Sequence, residues 1–154
     1  LKKISSWAQE NQVPLHLDGA RLWQAKPFYQ KEYAEIASLF DSVYVSFYKD
    51  LGGWCGAILA GNSDFIQLAR VWQRRHGGNL YSQDYNYVSA KVGFNRCLPQ
   101  IESWVYRAKE VASLLNAFPS LRVNPNPPHD LKKVVVEKIL PVVIFLITNS
   151  YESV

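Results

Sequence analysis

The sequence contains no methionine and only two cysteines, Cys55 and Cys97. The cysteines stand far apart and make no CxxC pair, which argues against a metal site such as zinc and against a disulfide framework. A reducing compartment, and therefore a cytoplasmic location, is the default expectation. Charge is also scarce: Asp, Glu, Lys and Arg together make up 19% of the residues. With 48% hydrophobic and 14% aromatic residues, so little charge excludes disorder as the main state. The 17 basic and 13 acidic residues leave a formal charge of +4, too little for a nucleic-acid binder. Long apolar runs are missing as well. The clean run at 142–147 falls far short of the about 20 residues that cross a bilayer, so no membrane role is expected. The chain starts Leu1-Lys2-Lys3, and no signal peptide is expected. Its expected status is a piece of a longer protein. Its 154 residues suit one domain of ordinary size.

What is present alternates between helix and strand patterns. Leu1, Ile4 and Ala8 predict the buried side of a helix over 1–12. Pro14 interrupts it, and 13–17 alternates like a strand. A short helix is expected over 32–40, a strand over 42–47 and a buried strand over 55–60, with Cys55 a small buried hydrophobe. Asn62 can cap a helix whose buried stripe would be Phe65, Leu68, Ala69 and Trp72, stopped by Gly77-Gly78. Two more helices are expected. One, over 84–97, would bury Tyr87, Ala90 and Phe94. The other, over 100–117, would bury Ile101, Trp104, Val105, Ala108, Ala112 and Leu115. A strand is expected at 121–123, and Pro125-Asn126-Pro127-Pro128 reads as a rigid linker. The apolar stretch 134–148 reads as a strand without partners or an aggregation-prone tail. This pattern predicts an α/β domain with a mainly parallel sheet and flanking helices over 1–124, then a linker and divergent apolar tail over 125–154.

Sites in α/β folds collect at the ends of strands. After the first strand come Asp18 and Arg21, within HLDGARLW; after the second comes Lys49, within SFYKDLGG. A lysine set directly after an apolar strand and near Gly52-Gly53 is an unusual place for a solvated cation. A lysine in such a place can act as an amine nucleophile toward a carbonyl. An aspartate on a neighbouring strand end could hold a pyridinium proton.

HLDGARLW, SFYKDLGG, the following GAILAG and the later Arg75-His76-Gly77-Gly78 occur in an order that resembles the threonine aldolase/β-eliminating lyase family. The resemblance implies a fragment of the large domain of the aspartate aminotransferase fold and pyridoxal 5'-phosphate as cofactor. It implies Lys49 as the catalytic, cofactor-bonding lysine and Asp18 as the partner of the pyridine nitrogen. Arg21 would lie near the cofactor's phenolic oxygen or the substrate carboxylate, and Ser46 would bond the phosphate. Gly52 and Gly53 would let the backbone turn tightly beside the cofactor. The implied reaction cleaves the Cα–Cβ bond of a β-hydroxy-α-amino acid such as threonine. The implied assembly is a homodimer or homotetramer, with a small amino acid as the molecular partner. Asp50 stands where the family more often has glycine, and no glycine-rich phosphate loop precedes Lys49. The chain by itself is therefore expected to be inactive.

Plainer readings stand beside these. Asp18 could cap the following helix, Arg21 could pair with Asp18, Lys49 could be a turn lysine, and Ser46 could be an ordinary strand hydroxyl. His16 reads as structural, His76 as a helix-end charge, and Trp54 as a possible pocket wall. Ser46 to Lys49 also fits S-x-x-K, but it sits on strand-forming residues and lacks the partner motifs of that hydrolase class. A non-catalytic remnant or interaction domain is the alternative function.

Overall fold

The structure, a computed structural model, describes residues 1–124 and the strand segments 134–138 and 143–146. The proline-rich linker at 125–128 lies outside the described residues. The chain divides into two units, Leu1–Pro99 and Gln100–Val154.

In the first unit, helix α1 (Lys2–Glu10) precedes strand β1 (His16–Gly19). Helices α2 (Leu22–Tyr29) and α3 (Tyr33–Ala37) then lead to strand β2 (Ser42–Ser46). Strand β3 (Ala57–Gly61), helix α4 (Ser63–Arg75) and helix α5 (Asp84–Cys97) complete it. The sheet order is β1-β2-β3. β1 and β2 run parallel, with Leu17 opposite Val43 and Asp18 opposite Tyr44. β3 returns antiparallel to β2, so the three-stranded sheet is mixed.

Alternation gives this sheet two unlike faces. Leu17, Val43 and Val45 pack with Leu22, Ala25, Tyr33, Ile36, Ala37 and Phe40, which places α2 and α3 over one face. The other face carries His16 and Ser42, joined Nδ1 to Oγ at 2.9 Å, and then Asp18 and Tyr44. An aromatic cluster holds α2 to the end of β2. Trp23 meets Tyr33, Phe47 and Phe94 at centroid distances of 5.3, 6.0 and 5.7 Å. Its Nε1 donates to the Ser46 carbonyl at 2.8 Å.

In the second unit, helix α6 (Ile101–Asn116) buries Ile101, Val105 and Ala112. Strands β4 (Leu121–Asn124), β5 (Val134–Lys138) and β6 (Val143–Leu146) form an antiparallel sheet in that order. The apolar tail, expected to lack partners, pairs its two strands with each other, and β5 also pairs with β4.

Several expected stripes are not buried. Ser5 and Ala8, not Leu1 and Ile4, are the buried positions of α1, because the Ser5 hydroxyl reaches the Leu39 carbonyl at 2.9 Å. β3 is exposed along its whole length, and Cys55 before it is exposed. α4 starts where expected, with Asn62 Oδ1 accepting the Phe65 amide at 2.8 Å, yet Phe65, Leu68 and Trp72 are exposed. In α5 the buried residues are Gly93 and Cys97, and Tyr87 faces solvent. Helical periodicity fixes which residues share a side, not whether that side is covered.

Candidate active site

Parallel pairing brings the C-terminal ends of β1 and β2 to one edge, with Gly19 opposite Val45. The sequence-predicted residues gather there: Asp18 is the third residue of β1, Arg21 follows its end, and Lys49 stands three residues past the end of β2. Gly19 is required where it stands. A Cβ there would lie 2.5 Å from the Tyr44 carbonyl oxygen, so the strands approach too closely for a side chain.

Asp18 is exposed, and its Oδ1 accepts the Ala20 amide at 3.1 Å. That bond closes a short turn over the end of β1 and aims the carboxylate. Asp18 does not cap α2; the N-cap position is Arg21, which makes no side-chain cap. Arg21 does form an ion pair, with Asp50: Nη1 to Oδ1 is 3.0 Å. The Asp50 side chain is 0% exposed and that of Arg21 34%. The pair therefore ties the turn after β1 to the residue that follows Lys49.

Ser46 is 0% exposed and donates its hydroxyl proton to the Ala20 carbonyl at 2.7 Å. The resemblance implies this hydroxyl for the cofactor phosphate; in the structure it reaches from β2 to the β1–α2 turn. The adjoining loop is held by the Phe47 amide on the Gly56 carbonyl at 3.0 Å and the Gly53 amide on the Phe47 carbonyl at 2.8 Å. Gly52 takes φ 69°, the left-handed conformation that the tight turn needs. Leu51 is fully buried beneath it. α5 seats against this turn through Gly93, where a Cβ would land on the Leu51 carbonyl.

Lys49 is half-buried, and its Nζ lies 5.8 Å from the centroid of the Tyr48 ring. The Tyr48 hydroxyl meets the Tyr44 hydroxyl at 2.9 Å. Tyr44 in turn stands opposite Asp18. The two tyrosines thus run from the register position beside the aspartate to the lysine, an arrangement that sequence reasoning missed. Its signal was the alternation that puts Tyr44 beside Asp18. The Tyr44 phenol is pushed up to about 12 by its hydrogen bond to Tyr48, then by burial and by the nearby Tyr48 and Asp18 charges.

Other singled-out residues lie apart from this constellation. His76 ends α4 with its ring stacked on Trp72 at 5.7 Å, and Arg75 lies 4.9 Å over the same ring. Trp54 is 79% exposed. A cavity of about 380 Å³ is lined by Ser5, Gln9, Leu15, Leu39 and Asp41, toward the opposite ends of the strands. No group of residues able to hold a metal ion occurs among the described residues. None of the helices among them is long and apolar enough to cross a membrane.

The profile of the beta-eliminating lyase family matches residues 1–137. The chain belongs to this family. It is 40% identical over 106 residues to the low-specificity L-threonine aldolase of Candida albicans, covering 62% of this chain and 28% of that protein. It is 30% identical over 123 residues to low-specificity L-threonine aldolase 1 of Arabidopsis thaliana, covering 80% and 34%. A solved structure from Listeria monocytogenes EGD-E, assigned as an L-allo-threonine aldolase, superposes with a TM-score of 0.83 at 45% identity, covering 88% of this chain and 37% of that one. The chain thus spans about a third of the length of these relatives. Its α/β architecture is a fragment of the large domain of that fold.

Proposed function

We propose that this chain carries the cofactor-bonding half of a pyridoxal-phosphate lyase that cleaves the Cα–Cβ bond of β-hydroxy-α-amino acids such as threonine. The observation that carries the reading is the placement of Asp18 and Lys49 at the C-terminal ends of neighbouring parallel strands, tied together by Arg21 and Asp50. That donor set fits the ring end of the cofactor. Asp18 would hold a proton at the ring nitrogen, and Lys49 would supply the amine that meets the carbonyl. When bound, the cofactor supplies an electron sink for the pair released by the broken bond. Arg21, held by Asp50, would lie near the cofactor's phenolic oxygen or the substrate carboxylate.

The phosphate end fits less well. Ser46 reaches a phosphate only by giving up Ala20, so its place here is that of a strut between the two strand ends. A phosphate normally rests on backbone N–H groups at a helix N-terminus, and no glycine-rich loop of that kind precedes Lys49 in residues 1–154. This favours a second statement: the chain by itself holds the cofactor weakly and does not turn over. The full-length assembly would be a homodimer or homotetramer.

The test follows absorbance as pyridoxal phosphate is added to the purified chain, and acetaldehyde release from threonine. The expected result is a spectral change that Lys49→Ala abolishes and Asp18→Asn weakens, without acetaldehyde. A spectral change indifferent to both substitutions contradicts the site. Lys49-dependent acetaldehyde release contradicts the claim of insufficiency.

A further inference from the structure

We propose that Tyr44 and Tyr48 are positioning residues for Lys49, joined into one clasp that holds the lysine amine at the strand-end edge. The proposal rests on Lys49 being the cofactor-bonding lysine. Its own basis is separate: two phenols that packing alone does not explain. Tyr48 is 42% exposed, so its ring is not there to fill a core. Its hydroxyl is nevertheless spent on Tyr44 at 2.9 Å, and its ring face lies 5.8 Å from the Lys49 Nζ.

The geometry converts a strand residue into a constraint on a loop residue. Tyr44 is fixed by the β2 ladder on both sides, opposite Asp18 in β1 and Leu59 in β3. Tyr48 and Lys49 lie beyond the end of β2, where no ladder holds them. The hydroxyl bond carries the order of the strand out to the Tyr48 ring. The ring then offers its negative face to the ammonium, an attraction that is directional as well as favourable. A lysine side chain has four rotatable bonds, and the ring contact narrows the orientations it samples. The clasp selects those on the edge that Asp18 shares.

The test uses two lysine reagents on the full chain, read by peptide mass spectrometry for Lys49 against Lys91 and Lys109. Pyridoxal phosphate with borohydride reports the oriented amine. Acetic anhydride, which needs no orientation, reports accessibility. In Tyr48→Leu, trapping at Lys49 is expected to fall by about threefold or more, while acetylation rises because the ring no longer covers one side of the amine. A change in mere exposure would move both reagents the same way, and that result overturns the proposal. Tyr44→Phe and Tyr48→Phe are expected to give the same intermediate loss, with the double variant no worse than either. Additive losses also overturn it. If wild-type chain traps the cofactor on other lysines, the functional reading fails. The acetylation arm still decides the clasp: faster Lys49 acetylation in Tyr48→Leu supports the contact, and an unchanged rate overturns it.

Discussion

Arg21 and Asp50 join the turn after β1 to the turn after β2 through an ion pair of 3.0 Å. The carboxylate is fully buried and the guanidinium about one-third exposed. Asp50 follows Lys49 directly, so the pair fixes the backbone from which the lysine projects. It also sets the guanidinium at the same edge as Asp18. Arginine suits this position, because its planar fork holds a carboxylate in a fixed geometry.

Removing the cation takes one partner from a buried carboxylate. Arg21→Ala is expected to cost about 1–3 kcal/mol, below the full value of a buried pair because Arg21 is partly solvated. Asp50→Ala should cost less, and the double variant should recover part of the Arg21→Ala loss. Urea denaturation of the four proteins checks this. Equal stability of Arg21→Ala and the parent chain would show that the pair holds nothing in place.

Ser46→Ala separates the strut from the phosphate ligand. It leaves the Ala20 carbonyl without its bond from Ser46, an expected loss of about 1–3 kcal/mol. Affinity for pyridoxal phosphate should stay within the range explained by that loss of stability. A large fall in affinity with unchanged stability would return Ser46 to the phosphate.

Glycines at two kinds of position should respond differently. Gly93→Ala forces a methyl onto the Leu51 carbonyl beneath the lysine turn, for about 1–3 kcal/mol of overpacking and a disturbed Lys49. Gly77→Ala meets nothing within 4 Å and carries only the strain of φ 73°, about 1 kcal/mol. Melting temperatures together with lysine trapping distinguish them, since only Gly93→Ala should lower trapping.

Alkaline pH tests the environment of Tyr44. Its folded value of about 12 lies above the ordinary value of 10. The folded chain therefore holds this proton where the unfolded chain releases it. The stabilisation is complete below pH 10 and is lost as pH rises toward 12. Melting curves between these limits should fall less steeply for Tyr44→Phe than for the parent chain. Parallel curves would contradict the assigned surroundings.

Much of the site was legible because its signals are local. Asp18 and Lys49 each follow a short strand pattern, and the strands at 42–47 and 121–123 emerged within a residue of β2 and β4. Helix α2 was legible only as a helix opening after Asp18; its extent was hidden because Pro27 lies inside it and its buried residues Leu22, Trp23 and Gln24 are consecutive rather than periodic. The antiparallel direction of β3 depends on the ten-residue return from Ser46 to Ala57, for which alternation carries no sign. Partners far apart in sequence were the hardest. Nothing local tells Arg21 to choose Asp50 over Asp18, or Ser46 to choose the Ala20 carbonyl.

The most direct measurement reduces a mixture of the chain and pyridoxal phosphate with borohydride and maps the modified lysines. The account predicts that the label concentrates on Lys49, weakens in Asp18→Asn and disappears from that peptide in Lys49→Ala. Label spread evenly over the exposed lysines, with Lys49 no more modified than Lys2 or Lys109, would contradict it.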